Sequence, residues 1–333
     1  MSAYPLALAT ALLALGLVPP GATAHRADYR DQDIFTVKVD ASGRRNLTRN
    51  YLMEDRPTLS RDGRALVFER EDGSLEVMSP NGKGRRVLLR VPGMYAQRPV
   101  WSRDGALLAF TTGGYDDPSV GVVGRNGNGL VLIPNASDPT WLAGHRLAFR
   151  ADFGPGFREG PHTLAVAKAD GSDRRIVARA KDLAAYHLLP PVASPDGTSI
   201  AFSAYTGGWN LYSLDLTAGS TPRPLGVSGY DQVWSPDGRR LAFNNRGTLW
   251  IVRADGTRLR RLPGIRLPNS RLPSWSPDGQ QVAFVRRAGK RINLLVTNLR
   301  ARTFKVVARG VTPRRPVWSR NARRLFFVAE RGA

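Results

Sequence analysis

The chain of 333 residues contains no cysteine. Disulfides, thiolate chemistry and thiol-bound metals are thereby excluded, and nothing in it requires an oxidising compartment. Histidine is scarce: His25, His145, His162 and His187 are the four present. No two have metal-ligand spacing, and an isolated histidine is far more often structural or solvated than a ligand. No pattern asks for a cofactor. Long apolar runs are missing too, with one exception. Leu6 to Val18 is apolar apart from Thr10 and Gly16, and Pro19-Pro20-Gly21 and Ala22-Thr23-Ala24 follow it. That is the apolar stretch and small-residue cleavage site of a secretory signal, and it is short for a bilayer span. Cleavage is expected after Ala24. Residues 1–24 then form a leader and 25–32 a short linker. The mature chain is expected to be exported, periplasmic or extracellular, without a membrane-spanning segment.

Acidic residues are thin in one region. The formal charge is +22, from 49 Lys plus Arg against 27 Asp plus Glu. From Ser235 onward there are 23 basic residues and only 4 acids, whereas the part before it holds 26 and 23. Codon bias in a GC-rich genome inflates arginine, but it does not remove acids from one third of a chain. The functional reading is a surface that meets polyanions.

What is abundant is one phrase. Its fullest copies are Val233-Trp234-Ser235-Pro236-Asp237-Gly238 followed by Leu241-Ala242-Phe243, and Ser274-Trp275-Ser276-Pro277-Asp278-Gly279 followed by Val282-Ala283-Phe284. Aligned on the aromatic, seven copies stand at Leu59, Trp101, Trp141, Ala193, Trp234, Trp275 and Trp318. Eight or nine residues later comes Phe68, Phe110, Phe149, Phe202, Phe243, Phe284 or Phe327. A period near forty residues, built from strand-turn-strand units, is the signature of a β-propeller. In each phrase, Ser-Pro-Asp-Gly predicts a turn in which proline presets φ, aspartate caps and glycine takes positive φ. Leu-Ala-Phe predicts a strand buried on both faces, with alanine admitting the neighbouring sheet. The repeated tryptophans and turn aspartates are read as packing and caps.

A second hairpin follows each phrase, marked by turns such as Asn81-Gly82, Asn126-Gly127, Asp170-Gly171 and Asp255-Gly256. The chain opens with such a hairpin, Asp33 to Thr48, and ends with an unaccompanied phrase, Arg315 to Ala329. Paired, these orphans close a ring and hide its strand edges. The expectation is an all-β, seven-bladed propeller of four-stranded blades over residues 33–333. Degenerate turns at Trp141-Leu142-Ala143-Gly144 and Trp318-Ser319-Arg320-Asn321 leave a six-bladed ring as the alternative.

The phrase resembles the WSPDG-type repeat of the TolB propeller, found also in the non-catalytic propeller of prolyl-oligopeptidase-like enzymes. The resemblance implies a ring-shaped, usually non-enzymatic platform that binds other macromolecules. There is no room before Asp33 for the separate α/β domain of TolB proper, and no Gly-x-Ser-x-Gly elbow of a hydrolase occurs.

Candidate binding residues follow from the fold. The residue three before each aromatic position should stand at the channel mouth: Arg56, Arg98, Asp138, Pro190, Asp231, Leu272 and Arg315. Three arginines around one opening would attract an anionic group, unless they hydrogen-bond the neighbouring blade. The long loops expected on the same face are Gly113 to Pro118, Arg150 to Pro161, Arg179 to Leu189 and Arg286 to Arg291. They carry Tyr115, Phe153, Phe157, Arg158, Tyr186 and His187, and Trp209 lies where a further loop meets a strand. The leading expectation is an exported scaffold without catalysis. Its partner would be an envelope or secreted protein, or an anionic polysaccharide or teichoic-acid-like polymer. The rival is a lyase or hydrolase with a channel site. Export argues against a nucleic-acid target, and no aromatic-basic nucleic-acid module is present.

Overall fold

The computed structural model describes residues 32–49, 52–114, 117–151, 163–217, 219–266, 273–299 and 303–331. The expected leader therefore lies outside the described residues, as do all but the last residue of the expected linker. Among the described residues are seven four-stranded antiparallel sheets, one per phrase, numbered here blades 1 to 7. The six-bladed alternative is thus excluded. Blade 1 runs Glu54–Leu59, Leu66–Arg70, Leu75–Met78 and Arg86–Leu89, and blades 2 to 6 repeat that order. Blade 7 is composite. Its inner strands are Val317–Trp318 and Arg324–Glu330, and its outer strands are Gln32–Lys38 and Arg45–Asn46. The seam is in full register from Gln32↔Glu330 to Lys38↔Arg324. The first strands of the seven blades touch their neighbours in cyclic order, with Val317–Trp318 returning to Glu54–Leu59. These strands therefore line the axis.

The repeated residues explain why the sheets stack. All seven phenylalanines of the phrase are at most 2% exposed. Each lies in an apolar cluster shared with the preceding blade: Phe149 against Ala109 and Val120, Phe243 against Ala201 and Leu211, Phe68 against Ile34 and Phe326. Ala and Phe are adjacent in the strand, so they point to opposite faces. In blades 2 to 6 the alanine thus receives the next blade's ring. Full burial of such a ring contributes about 1.5–3 kcal/mol. Gly121, paired with Phe110, is required for space, because a Cβ there would lie 2.2 Å from the ring.

The tryptophans add a polar link. The indole N–H groups of Trp141, Trp234, Trp275 and Trp318 donate to Val100, Val192, Val233 and Ser274 carbonyls at 3.0, 3.1, 3.3 and 2.9 Å. Each acceptor stands one residue before the aromatic address of the previous blade. Blade 4 has Ala193 there, and its backbone N–H donates instead to Thr140 Oγ1 at 3.1 Å.

The turn aspartates are caps. In blade 5, Ser235 Oγ donates to Asp237 Oδ1 at 2.5 Å and accepts from the Arg240 N–H at 2.9 Å. Asn321 does the same for Ser319 in blade 7, so that turn is intact despite its altered sequence. The third turn closes without a cap, through Leu142 N–H to the Arg146 carbonyl at 2.8 Å, with His145 at φ 52°. One loop expectation fails. Arg286 to Arg291 is not a long loop: strands Gln281–Ala288 and Arg291–Asn298 pair down to Ala288↔Arg291 around Gly289-Lys290. Exposed residues continued the ladder there, beyond the buried stretch that marks a strand in sequence.

Candidate functional site at the channel mouth and loop face

At the start of the inner strand, blades 1, 2, 3 and 5 each carry a β-bulge. The residues inside it are Arg56, Arg98, Asp138 and Asp231, all at φ between 45° and 57°. A left-handed conformation is unusual for non-glycine residues, and bulges commonly re-aim a side chain. These are the positions three before the aromatic address. Asp138 acts electrostatically on Arg56 two blades away, and Asp231 on Arg315 two blades away. Side chains of non-adjacent blades therefore share one opening.

Most charges in that opening are paired. Arg56 Nη1 donates to Glu69 at 3.0 Å. Glu69 also accepts the Arg98 backbone N–H, and the Arg98 guanidinium bonds Asp138 of the next blade. Asp138 further meets Arg150 at 3.5 Å, and its own N–H donates to Thr111 Oγ1 at 2.9 Å. Arg314 Nε donates to Asp55 Oδ1 at 2.8 Å, joining blade 7 to blade 1. Burial pushes the Glu69 carboxyl above its ordinary range, and Arg56 and the Arg98 N–H offset this only in part. Arg315 differs. Its Nε is buried without an acceptor, and no hydrogen bond or ion pair joins it to another described residue. Desolvation lowers its guanidinium to about 10, against the opposing field of Asp231, so it stays a cation at neutral pH.

The same end of the blades carries an aromatic cluster on blade 4. Tyr186 and Tyr205 ring centroids are 6.3 Å apart, and Tyr205 meets Trp209 edge-on at 5.2 Å. Tyr186 is 70% exposed. Residues 186–189 are held by backbone bonds between Tyr186 and Tyr205, His187 and Tyr205, and Leu189 and Ser203. His187 thus sits beside the cluster, with its carbonyl engaged.

The structure therefore brings Arg56, Arg98, Asp138, Asp231 and Arg315 to one opening, and groups Tyr186, His187 and Trp209. Pro190 precedes the inner strand of blade 4 without a bulge. Leu272, Tyr115, Phe153, Phe157 and Arg158 lie outside the described residues. Glu69, Thr111 and Arg150 at the mouth were not foreseen, although all three occupy one repeat address, directly after the phenylalanine. Asp55, Arg314 and Tyr205 were also missed. Among the described residues, no group of three or more His, Asp or Glu side chains is placed to hold a metal ion, and no helix is long and apolar enough to cross a membrane.

The TolB β-propeller domain model matches residues 144–333, more than half of the chain. The chain belongs to the TolB β-propeller family. No curated protein matches it in sequence. Solved structures share the fold. A protein assigned as TolB from Agrobacterium tumefaciens is 17% identical with a TM-score of 0.59, over 92% of this chain and all of that one. TolB from Acinetobacter baumannii is 15% identical, with a TM-score of 0.54 over 91% of this chain and 64% of that one. An oligogalacturonate lyase from Vibrio parahaemolyticus is 13% identical, with a TM-score of 0.65 over 80% of this chain and 83% of that one. The TolB-type ring thus appears among these neighbours in both a TolB and a lyase, and the site has to be judged on its own residues.

Proposed function

We propose that this protein is an exported binding scaffold without catalysis, and that its loop face recognises an envelope or secreted protein. The observation that carries the reading is the Tyr186–Tyr205–Trp209 cluster at the channel-mouth end, in which both tyrosines are exposed and the tryptophan half-buried. Aromatic side chains with a polar tip are enriched at the centres of protein interfaces. The rigid ring of bonded blades beneath supplies preorganisation.

The net charge favours an anionic polymer as the alternative partner. Many arginines are nevertheless engaged by the protein's own groups. Arg223 donates to Asp255 and Ala254 carbonyls, Arg260 to the Leu299 carbonyl and Arg174 to Pro134 and Asn135 carbonyls, each across a blade boundary. Arg240 lies 4.8 Å over the Trp275 ring. Guanidinium groups held this way contribute to the field but are poorly free to follow a polymer.

The test is photo-crosslinking in the envelope and secreted fractions, with a crosslinking residue placed at Tyr186 or at exposed Arg239 on the opposite turn face. A discrete protein adduct from position 186, absent from 239, is expected. No adduct from 186, together with heparin retention that only high salt reverses, would replace the protein partner by a polyanion.

A further inference from the structure

We propose that Arg315 receives a carboxylate that the protein partner inserts into the channel mouth. The inference rests on the scaffold reading and adds the chemistry of one contact. Every other cation named at the mouth has a carboxylate within the protein: Arg56 has Glu69, Arg98 and Arg150 have Asp138, and Arg314 has Asp55. Arg315 follows Arg314 directly in sequence, yet its Nε is buried with no acceptor. Asp231 is near enough to act on it electrostatically. Arg315 is half-buried, and a buried donor left without an acceptor costs stability, so its orphaned Nε is a local conflict of the kind found at binding sites. Its planar fork matches a carboxylate in two parallel bonds.

The surrounding charges narrow the ligand. Among the described residues Asp55, Glu69, Asp138 and Asp231 share the mouth with Arg315. They offset the guanidinium groups of Arg56, Arg98, Arg150 and Arg314, so the mouth offers a polyanion little positive charge beyond Arg315 itself. A single carboxylate on an otherwise neutral segment meets the unpaired cation at the smallest repulsive cost. The group can be an Asp or Glu side chain or a chain terminus, since both present the same two oxygens.

The experiment uses the mature protein and three fluorescein-labelled peptides read by anisotropy at fixed ionic strength. The first is Gly-Ser-Glu-Ser-Gly amide, the second its Gln counterpart as the amide, and the third the Gln peptide with a free C-terminal carboxylate. Binding of the first or third, at least about ten-fold tighter than the second, is expected, and which of the two binds identifies the source of the carboxylate. Arg315→Gln should weaken that binding about ten-fold or more, and Arg315→Lys by less, because charge survives and the fork does not. Arg239→Gln should leave it unchanged. The unfolding temperature of Arg315→Gln should equal or exceed that of the parent, since the change removes a buried donor that has no acceptor. Equal binding of all three peptides, no binding of any, an unaffected Arg315→Gln variant, or loss of binding together with a lowered unfolding temperature would each overturn the assignment. Persistent crosslinking from position 186 in Arg315→Gln would then show that the scaffold reading survives without it.

Discussion

The indole nitrogen separates packing from hydrogen bonding at a single residue. Trp141 donates to the Val100 carbonyl at 3.0 Å, whereas Trp101 occupies the same repeat address with its Nε1 buried and unpaired. Arg125 lies 5.6 Å over the Trp101 ring. Phenylalanine at either position leaves a similar small void. At Trp141 it also removes a hydrogen bond of about 1 kcal/mol, while at Trp101 it removes only an unsatisfied donor. Trp141→Phe should therefore cost about 1–2 kcal/mol more than Trp101→Phe in urea unfolding. Equal losses would mean that the indole N–H contributes nothing to cohesion between blades.

At the scale of the element, the capped turn makes a pH prediction. Asp62 and Asp104 are held well below the usual carboxylate range, first by the Ser60 and Ser102 hydroxyls and then by backbone N–H groups. Asp196 is lowered by Ser194 and Thr198 in the same way. A carboxyl whose folded value is depressed stabilises the fold fully above its unfolded value near 4, and that contribution fades as pH falls toward the folded value. Asn321 shows that asparagine can cap the turn without titrating. The double variant Asp62→Asn, Asp196→Asn should thus lose less of its stability between about pH 5 and pH 3 than the parent does. Urea midpoints at the two pH values measure it, and parallel losses would refute it. These turns were legible in the sequence because the copies control one another, with Ser and Asp or Asn at fixed offsets in six of the seven. The charge pairs of the mouth were only half legible. Arg98 and Asp138 share one address in successive copies, so their meeting follows from the period. Glu69 does not stand out, because its address reads Thr111, Arg150, Ser203, Asn244, Val285 and Val328 in the other copies. Its role arises only where a neighbouring bulge turns an N–H toward it.

At the scale of the whole molecule, the ring is continuous in the chain everywhere except at one seam. There, Phe35 stacks on Phe327 at 5.8 Å and Arg44 lies over both rings. Arg44 also donates to the Arg309 carbonyl of blade 6, and Lys305 of blade 6 returns a bond to the Asp40 carbonyl. The outer half of blade 7 is thus fastened by apolar contact and cross-blade cations, but not by a covalent turn to its inner half. Removing residues 1–48 would expose the edge of strand Arg324–Glu330, including Phe327 and the backbone groups that pair with Gln32–Lys38. An exposed apolar edge invites pairing with another chain. The truncated protein should therefore self-associate by light scattering and lose its cooperative unfolding transition. A synthetic peptide of residues 32–48 should reverse both effects by adding the missing strands from outside. At about one hundred times its Kd, the peptide should return about 2.7 kcal/mol of stability by mass action. A peptide in which Phe35 is replaced by Asp should fail to rescue, because it would bury a charge against Phe327. If the truncated chain stays monomeric and unfolds as the parent does, the seam does not hold the ring, and closure must reside in the contacts between inner strands alone.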